Sequence, residues 1–401
     1  MSRFLRTLAY TCLLASGGAL LGSHSADAQS AGFKSAVGAP GHKLESTAAG
    51  EPSDTVRSPM PLVDPSVFEG TAAKAPGLPM DGAAGASNAP DASSPEAYGG
   101  SSAVYTTARV AVTSLGNSKN VKMTPVTSAP YRATGKIYAR WGNDWYVCTA
   151  SLVGKSVLIT AAHCVFFYGE GANGWADEVQ WIPANYSANR NKGPYGLYKA
   201  KDLIVPTPYV EGTDTCHPSA PGVVCNNDIA AIVLNKRKKK FAGNIVGWYG
   251  YGWNGYSYNN SEFLNNMNVV QVTQLGYPLA FDGGYQMQRT DSVGWFIKDG
   301  QLKGTQIGSA QTGGSSGGPW MANFGTVPDV NPNGASLGNQ AAPNTVIGVT
   351  SYGSTQVGYN YQGASYFGTN KEYPKNNYGG YGAGNIGAVM EFTCKKYKKY
   401  C

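Results

Sequence analysis

Charged residues and histidines are scarce in this chain of 401 residues, in which Asp, Glu, Lys and Arg make up 14% and histidine occurs four times. Beyond the N-terminus, no stretch is apolar enough to cross a bilayer. Helical periodicity is absent until about residue 388. These deficits argue against a membrane-spanning protein and against a mainly helical one.

The first 28 residues have the pattern of a secretory signal peptide. Arg3 and Arg6 precede an apolar run that is too short and too interrupted by glycine for a membrane span, and the run leads to Ala26-Asp27-Ala28. We therefore expect cleavage after Ala28 and secretion, either to the extracellular space or to the periplasm.

Residues 29–110 differ in composition from the rest. They are rich in Ala, Gly, Pro and Ser and poor in aromatic residues, so they cannot bury enough apolar surface to offset the entropy of ordering. We expect a disordered pro-region, which would make the protein a zymogen, with a mere spacer as the alternative. Residues 111–401 would form the folded domain.

Six cysteines remain once Cys12 is removed with the signal peptide, and an even number in an exported protein indicates disulfide bonds. The sequence alone allows fifteen pairings, but the cysteines fall into three local pairs. We expect these pairs to be Cys148–Cys164, Cys216–Cys225 and Cys394–Cys401. The last pair requires a helix to end between its two members.

Short runs rich in Val, Ile, Tyr and Thr, separated by Gly, Asn, Pro and Asp, begin at about residue 130 and predict an all-β domain followed by a C-terminal helix. Two Tyr/Gly/Asn-rich stretches, 247–260 and 358–382, fit surface loops or aromatic substrate platforms.

Two basic runs, KRKKK at 236–240 and KKYKK at 395–399, contribute to a net charge of +7. Neither occurs within a recognisable nucleic-acid-binding module, so we expect solvated turns or helix ends and no nucleic-acid partner.

The stretch TGGSSGGPW at 312–320 fits either a flexible linker or a strained turn that presents a nucleophile. A nucleophilic serine needs a base, usually a histidine that a carboxylate orients. No histidine follows Ser316. This excludes the serine–acid–histidine order of α/β-hydrolases, whose nucleophile motif Gly314–Gly318 also fits.

His163 is the best-placed base, because it ends an apolar strand run and adjoins Cys164, whereas His217 lies in a Pro-rich turn. Asp228, which opens the strand run DIAAIVL, is the candidate carboxylate between the histidine and the serine.

Three motifs, TAAHC (160–164), DIAAIVL (228–234) and GSSGGPW (314–320), occur in the order His, Asp, Ser. In this order and spacing the chain resembles the trypsin-like serine proteases of the chymotrypsin superfamily over about 125–395. PYRATGK (130–136), GYP (276–278) and TGGSSGGP make it most similar to the bacterial glutamyl endopeptidases. The resemblance implies two six-stranded antiparallel β-barrels with the site between them.

The resemblance also assigns roles. Ser316 matches the nucleophile, His163 the general base and Asp228 the residue that orients it, while the N–H groups of Gly314 and Ser316 would form the oxyanion hole. Ser351 matches the serine beside the buried aspartate. Ser351, Tyr352 and Gly353 would pair with the substrate backbone as an added strand.

Activation and specificity depart from the pattern. Ser315 replaces an aspartate that binds the new N-terminus in animal enzymes, so the pro-region would act by covering the cleft or by assisting folding. Thr350 and Gln311 stand where glutamyl endopeptidases have His and Thr, and Ala310 occupies the base of the pocket. We expect a neutral pocket that prefers neither Glu nor Lys and Arg.

The sequence therefore predicts a secreted, monomeric serine endopeptidase that acts on protein or peptide substrates without a metal or another cofactor, since its Cys and His spacings give no tetrahedral zinc site. Two alternatives remain. One is a binding or adhesion protein on a protease scaffold, with weak or no catalysis, and the other is an esterase with the same triad.

Overall fold

The computed structural model of the protein describes residues 31–45, 62–63, 104–111, 125–189, 193–261, 266–325, 342–354 and 360–401. The predicted signal peptide, residues 1–28, lies outside these ranges, as does most of the predicted pro-region. No helix within the described ranges is long and apolar enough to span a membrane.

The first half of the described chain contains nine strands. They are β1 (Phe33–Ser35), β2 (Leu62–Val63), β3 (Tyr105–Arg109), β4 (Thr134–Trp141), β5 (Asp144–Leu152), β6 (Val157–Thr160), β7 (Glu178–Pro183), β8 (Tyr198–Pro206) and β9 (Ala230–Leu234). Strands β8, β7, β4, β5, β6 and β9 are neighbours in that order, and β9 pairs again with β8. These six strands therefore close into a barrel.

The second half provides the remaining strands. They are β10 (Gly250–Tyr251), β11 (Asn259–Ser261), β12 (Met267–Gly276), β13 (Gln288–Asp299), β14 (Leu302–Gly308), β15 (Pro319–Ala322), β16 (Thr345–Ser354) and β17 (Tyr361–Tyr366). Strands β12, β15, β16, β17, β14 and β13 are neighbours in that order, and β13 pairs back with β12. The expectation of two closed six-stranded antiparallel barrels is confirmed.

Among the residues that the structure describes, helices are few and short. The α-helices are α1 (Thr207–Val210), α2 (Gly243–Val246) and α3 (Gly384–Lys396). Single 3-10 turns are formed by Pro125–Thr127, Tyr131–Ala133, Ala162–Cys164, Gly171–Asn173, Asp282–Gly284 and Gly379–Tyr381. The C-terminal helix begins four residues before the position at which its periodicity becomes visible in the sequence.

Strands β6 and β9 are continuously apolar because both of their faces are buried. Leu158 and Ile232 point into the interior of the first barrel. The alternate residues, such as Ile159 and Val233, pack with Val349 of the second barrel and with residues of α3. The two barrels thus share a core, and these two strands form its first-barrel side.

The six cysteines form the three predicted pairs. Cys148–Cys164 joins β5 to the 3-10 turn that follows β6. The last pair is possible because α3 ends at Lys396, between Cys394 and Cys401.

Three parts of the region 29–110, for which we expect disorder, instead form the strands β1, β2 and β3. Strand β1 pairs with β8 of the first barrel, and β3 pairs with β13 of the second over five residue pairs, from Ser292↔Tyr105 to Gln288↔Arg109. Composition misled here because each part uses a pre-existing sheet edge and needs little apolar surface of its own.

Candidate active site

Three loops bring the predicted residues together between the barrels. His163 lies in the 3-10 turn Ala162–Cys164, directly after β6. Asp228 lies two residues before β9, and Ser316 lies in the loop between β14 and β15. All three side chains are buried or nearly so.

Asp228 is fully buried and receives several hydrogen bonds. The His163 ring nitrogen Nδ1 lies 2.7 Å from Oδ2, and the His163 backbone N–H donates to Oδ1 at 3.0 Å. The Ser351 hydroxyl also contacts Oδ2. Buried carboxylate oxygens need such hydrogen-bond donors, and here the donors also fix the orientation of the imidazole, with Nε2 pointing away from the aspartate.

The candidate base and the candidate nucleophile each have a buried atom that lacks a partner. Neither His163 Nε2 nor Ser316 Oγ has a hydrogen-bond partner within the described part of the chain. Buried polar atoms without partners are uncommon and indicate a strained or functional position. A base and a hydroxyl that both lack partners are free to exchange a proton with an incoming group.

The turn that carries Ser316 depends on two glycines. Gly314 and Gly317 have φ values of +98° and +74°. A Cβ at Gly317 would lie 1.9 Å from Thr160 Oγ1 of the first barrel, so no larger residue fits. Among the described residues, no acceptor binds the backbone N–H of Gly314 or of Ser316. Both groups are therefore available to an external oxygen atom.

Thr149 of β5, which the sequence analysis did not single out, links this turn to the first barrel. Its N–H donates to the Ser316 carbonyl oxygen at 2.7 Å, and its hydroxyl donates to the Gly314 carbonyl oxygen at 2.8 Å. The Tyr277 N–H donates to the same hydroxyl at 3.1 Å. A threonine in an apolar strand carries no visible sequence signal for this role.

The side chains of Ser315 and His217 form hydrogen bonds within their own turns. The Ser315 hydroxyl donates to the Thr312 carbonyl oxygen at 2.7 Å and is buried. His217 contacts Ser219 in its own turn, with Nδ1 and Oγ 2.8 Å apart.

The predicted pocket residues belong to a buried network of uncharged side chains. The Thr350 hydroxyl accepts hydrogen bonds from Gln274 Nε2 and from Trp320 Nε1, both at 2.9 Å, and donates to the Gly318 carbonyl oxygen at 3.3 Å. Its one proton is therefore already used. Gln311 Nε2 donates to Thr290 Oγ1 at 3.1 Å and also lies 3.5 Å from the Gln274 carbonyl oxygen.

The backbone of Ala310 contacts strand β3, which precedes the barrels in the chain. Its N–H donates to Thr107 Oγ1 of β3 at 3.2 Å, and the Thr107 hydroxyl lies 2.8 Å from that of Thr290. The base of the predicted pocket therefore includes a residue from the region N-terminal to the protease domain.

The predicted substrate-binding edge is Ser351–Gly353 of β16. Tyr352 is buried against Gly363 of the neighbouring strand β17, where a Cβ would lie 1.8 Å from the ring of Tyr352. Beyond Tyr352, the edge is paired with β2 in a parallel arrangement, Gly353 with Leu62 and Ser354 with Val63. Another part of the chain thus occupies the end of this edge.

Lys136 is a second residue that the sequence analysis did not assign. It is 1% exposed, donates to the Gly284 carbonyl oxygen at 2.8 Å and lies over the rings of Tyr138 and Tyr285. Burial lowers the pKa of Lys136 to about 7. The Lys136 ammonium group supports the loop that follows Tyr277, next to the turn of Ser316.

Asp214 lies behind Asp228. It accepts hydrogen bonds from the side chain and from the N–H of Asn227, at 2.7 Å and 2.9 Å. Burial and, secondarily, the charge of Glu372 raise the pKa of Asp214 to about 8. The side chain of Asn227 also reaches Glu372 at 3.2 Å, so one amide joins both acids directly before Asp228.

Two groups of side chains within the described ranges are close enough to hold a metal ion, Cys148 with His163 and Cys164, and Asp214 with Cys216 and Cys225. Each group contains both cysteines of one disulfide bond. Metal binding by cysteine requires a thiolate, so these residues do not fit a zinc site.

No protein-family model matches the chain. The extracellular metalloprotease of Bacillus subtilis is 32% identical over 139 residues, which make up 34% of this chain and 38% of that protein. The glutamyl endopeptidase of Bacillus licheniformis is 26% identical over 179 residues, 45% of this chain and 46% of that protein. The chain thus spans less than half the length of either relative.

Two solved structures align over more of the chain. Protease Anisep from Arthrobacter nicotinovorans is 26% identical, with 61% of this chain and 93% of that chain covered and a TM-score of 0.44. A Glu endopeptidase in complex with MPD is 16% identical, with 69% and 94% covered and a TM-score of 0.40. The resemblance to the trypsin-like serine proteases is confirmed. The similarity to a glutamyl endopeptidase agrees with the resemblance that PYRATGK and TGGSSGGP indicate.

The buried Lys136 predicts a pH-dependent stability. Its pKa falls from 10.5 to about 7 on folding, so between these values the unfolded chain binds a proton that the folded chain lacks. The free energy of unfolding therefore rises with pH through this window. Below pH 7 the folded chain bears the full cost of burying the charged Lys136. Relative to the parent, we expect Lys136→Met to be more stable at pH 6 and to lose that advantage by pH 10.

Urea unfolding at pH 6, 8 and 10 measures this difference, with Ser316→Ala in every chain to prevent self-digestion. The exposed Lys298→Met controls for the loss of one positive charge. If the difference in free energy of unfolding between Lys136→Met and the parent stays constant from pH 6 to 10, the lowered pKa of Lys136 is contradicted.

Proposed function

We propose that the protein is a secreted serine endopeptidase that hydrolyses peptide bonds through an acyl-enzyme. The observation that carries the proposal is the bond between Asp228 and His163 Nδ1. With it go the unpaired His163 Nε2 and Ser316 Oγ atoms, on two segments that are both linked to β5, through Cys148–Cys164 and through the Thr149 N–H. The similarity to serine proteases supports it.

In this mechanism Ser316 Oγ attacks the substrate carbonyl carbon while His163 Nε2 takes its proton. Asp228 keeps the imidazole in the required tautomer and stabilises the imidazolium. The N–H groups of Gly314 and Ser316 receive the negative charge that develops on the carbonyl oxygen. The imidazolium then gives its proton to the leaving amine, and water attacks the acyl-enzyme with the same base.

Modification of the serine tests this mechanism. A fluorophosphonate should form one adduct, on Ser316, in the processed protein and none in Ser316→Ala. We expect Asp228→Asn to lower peptide hydrolysis by about 10⁴-fold, because it favours the wrong tautomer of His163. Mass spectrometry of the labelled protein and a peptide-cleavage assay measure the two effects.

The same assay separates the alternatives. Retained activity in a metal chelator, together with loss in Ser316→Ala, would agree with the proposal. Loss in chelator without labelling would instead favour a metalloprotease, as the name of the Bacillus subtilis relative suggests. A folded, processed protein that takes no adduct would favour a binding or adhesion protein, and hydrolysis of simple esters but not peptides would favour an esterase.

We further propose that the specificity pocket accepts uncharged side chains. Thr350 has no proton to offer a substrate carboxylate, and the side-chain N–H groups of Gln311 already face Thr290 and the Gln274 carbonyl oxygen. Ala310 offers no negative charge to a lysine or arginine. A charged side chain bound there would lose hydration without gaining a group of opposite charge among Ala310, Gln311 and Thr350.

Peptides that differ only in the residue before the cleaved bond test this specificity. For Ala or Phe we expect kcat/KM at least about tenfold above that for Glu or Lys, which corresponds to about 1.4 kcal/mol. Thr350→His should raise the rate for Glu relative to Ala, whereas the control Thr350→Val should not. A parent enzyme that prefers Glu would contradict the proposal.

We also propose that the unprocessed chain is latent because β2 occupies the substrate edge. In the sequence, Leu62 and Val63 lie between Pro61 and Pro65, two residues that lack backbone N–H groups. Pairing with Gly353 and Ser354 uses the backbone that a substrate would need. Processing that removes β2 from this edge would free it, which makes the chain a zymogen.

Weakening this pairing should activate the intact chain. Val63→Pro removes one N–H, and we expect faster fluorophosphonate labelling of the intact 29–401 band than in the parent. Val67→Pro, outside the pairing, is the matched control. Equal labelling rates in the parent and in Val63→Pro would show that β2 does not cause latency.

A further inference from the structure

Residues 31–45, here called the N-terminal clasp, fill an edge of the first barrel. Strand β7 pairs with β8 only at Lys199 and Tyr198. Farther along β8, the clasp strand β1 pairs with β8 in place of β7, with Ser35 opposite Ile204 and Phe33 opposite Pro206. The backbone pairing continues at both ends, because Thr207 donates to the Gly32 carbonyl oxygen and Ala36 donates to the Leu203 carbonyl oxygen, each at 2.9 Å.

Phe33 anchors the clasp to the C-terminal part of the chain. Its ring stacks on Tyr373 at 5.2 Å between centroids and packs on Phe392 of α3 at 5.6 Å. The Tyr373 hydroxyl donates to the Gly32 carbonyl oxygen at 2.9 Å. Aromatic pairs of this kind contribute beyond the area they bury.

Asp202 ties the clasp to β8 and α3 through a buried charge. This carboxylate is fully buried. It accepts hydrogen bonds from the Ser35 hydroxyl at 2.6 Å and from the Val37 N–H at 3.0 Å. Lys396 Nζ and the Tyr397 hydroxyl bind it from α3 and its end, at 3.1 Å and 2.8 Å. Without the clasp, this charge would lose two donors, which is costly for a buried carboxylate.

The far end of the clasp is also held. Glu45 N–H donates to the Asp177 carbonyl oxygen at 2.7 Å, and the Glu45 carboxylate pairs with Arg140 at 2.6 Å. Ala36 is 1% exposed and belongs to the first-barrel core. Contacts therefore run along the whole clasp rather than at one point.

We propose that the N-terminal clasp is a permanent component of the folded enzyme and stays bound after the chain is cut anywhere in 46–103. No cysteine lies between residues 29 and 147, so a severed clasp would be held without a covalent link. The processed enzyme would then consist of two chains, a clasp peptide and the protease domain. The surface formed by β8, Tyr373 and α3 is the binding site for that peptide.

Controlled cleavage tests this proposal without catalysis by the protein itself. A recognition sequence for a site-specific protease replaces residues 80–86 in the chain 29–401 with Ser316→Ala. After cutting, we expect the N-terminal fragment to co-elute with the protease domain in gel filtration and to separate only in denaturant. A fragment that elutes alone under native conditions would overturn the proposal, whatever the catalytic activity of the parent enzyme.

Two neighbouring substitutions locate the binding. Phe33→Ala should raise the dissociation constant of the fragment at least about tenfold, since it removes contacts with two aromatic rings. Lys34→Ala is the matched control. Lys34 alternates to the exposed face of β1 and makes only an exposed ion pair with Glu211, at 3.5 Å. We expect it to bind as the parent does.

The fragment also carries β2, so Val63→Pro is tested beside these variants. Retention of the Val63→Pro fragment agrees with the clasp as the anchor. Release by Val63→Pro but not by Phe33→Ala would place the anchor at β2 and overturn the proposal. Dilution of each cut complex, followed by gel filtration, gives the dissociation constants of the fragment for the parent and for the three variants.

Discussion

Two consecutive residues of β5 fix the relation between the two halves of the candidate site. Cys148 is bonded to Cys164, the neighbour of His163, while Thr149 holds the carbonyl groups of Ser316 and Gly314. A strand is stiff over two residues. The same short piece of backbone therefore positions both His163 of one barrel and Ser316 of the other. With the two segments held in this way, Gly317 lies directly against Thr160 of the first barrel. No side chain can lie between the barrels at this point.

The sequence revealed those parts of the site whose chemistry restricts the residue type. Ser316, His163 and Asp228 could be found because few other residues can supply a nucleophile, a base and an orienting acid. The cysteine pairs could be found because they are close in sequence. Lys136 and Thr149 could not be found, since their roles come from burial and from contacts between distant strands. Strand β8 has no clear strand pattern in the sequence, because YKAKDLIVP mixes two half-buried lysines with a buried Asp202 that only the folded structure provides with donors.

The region N-terminal to the barrels contacts the folded domain at three separate places. The clasp lies on the first barrel, β3 extends the second, and β2 lies on the edge of β16. Each contact uses backbone pairing with an existing strand, which demands little from the side chains. A composition rich in Ala, Gly, Pro and Ser is therefore compatible with specific contacts, and the expectation of disorder throughout 29–110 followed from counting apolar side chains alone.

The three disulfide bonds close loops with sequence separations of 16, 9 and 7 residues. The entropic cost of closing a flexible loop rises with its length, so each thiol meets its native partner at a higher effective concentration than it meets any of the other four. Of the fifteen possible pairings, the native one is then favoured in the unfolded chain itself. Oxidation can precede assembly of the barrels, and the covalent framework around His163 can exist before the second half of the site has folded.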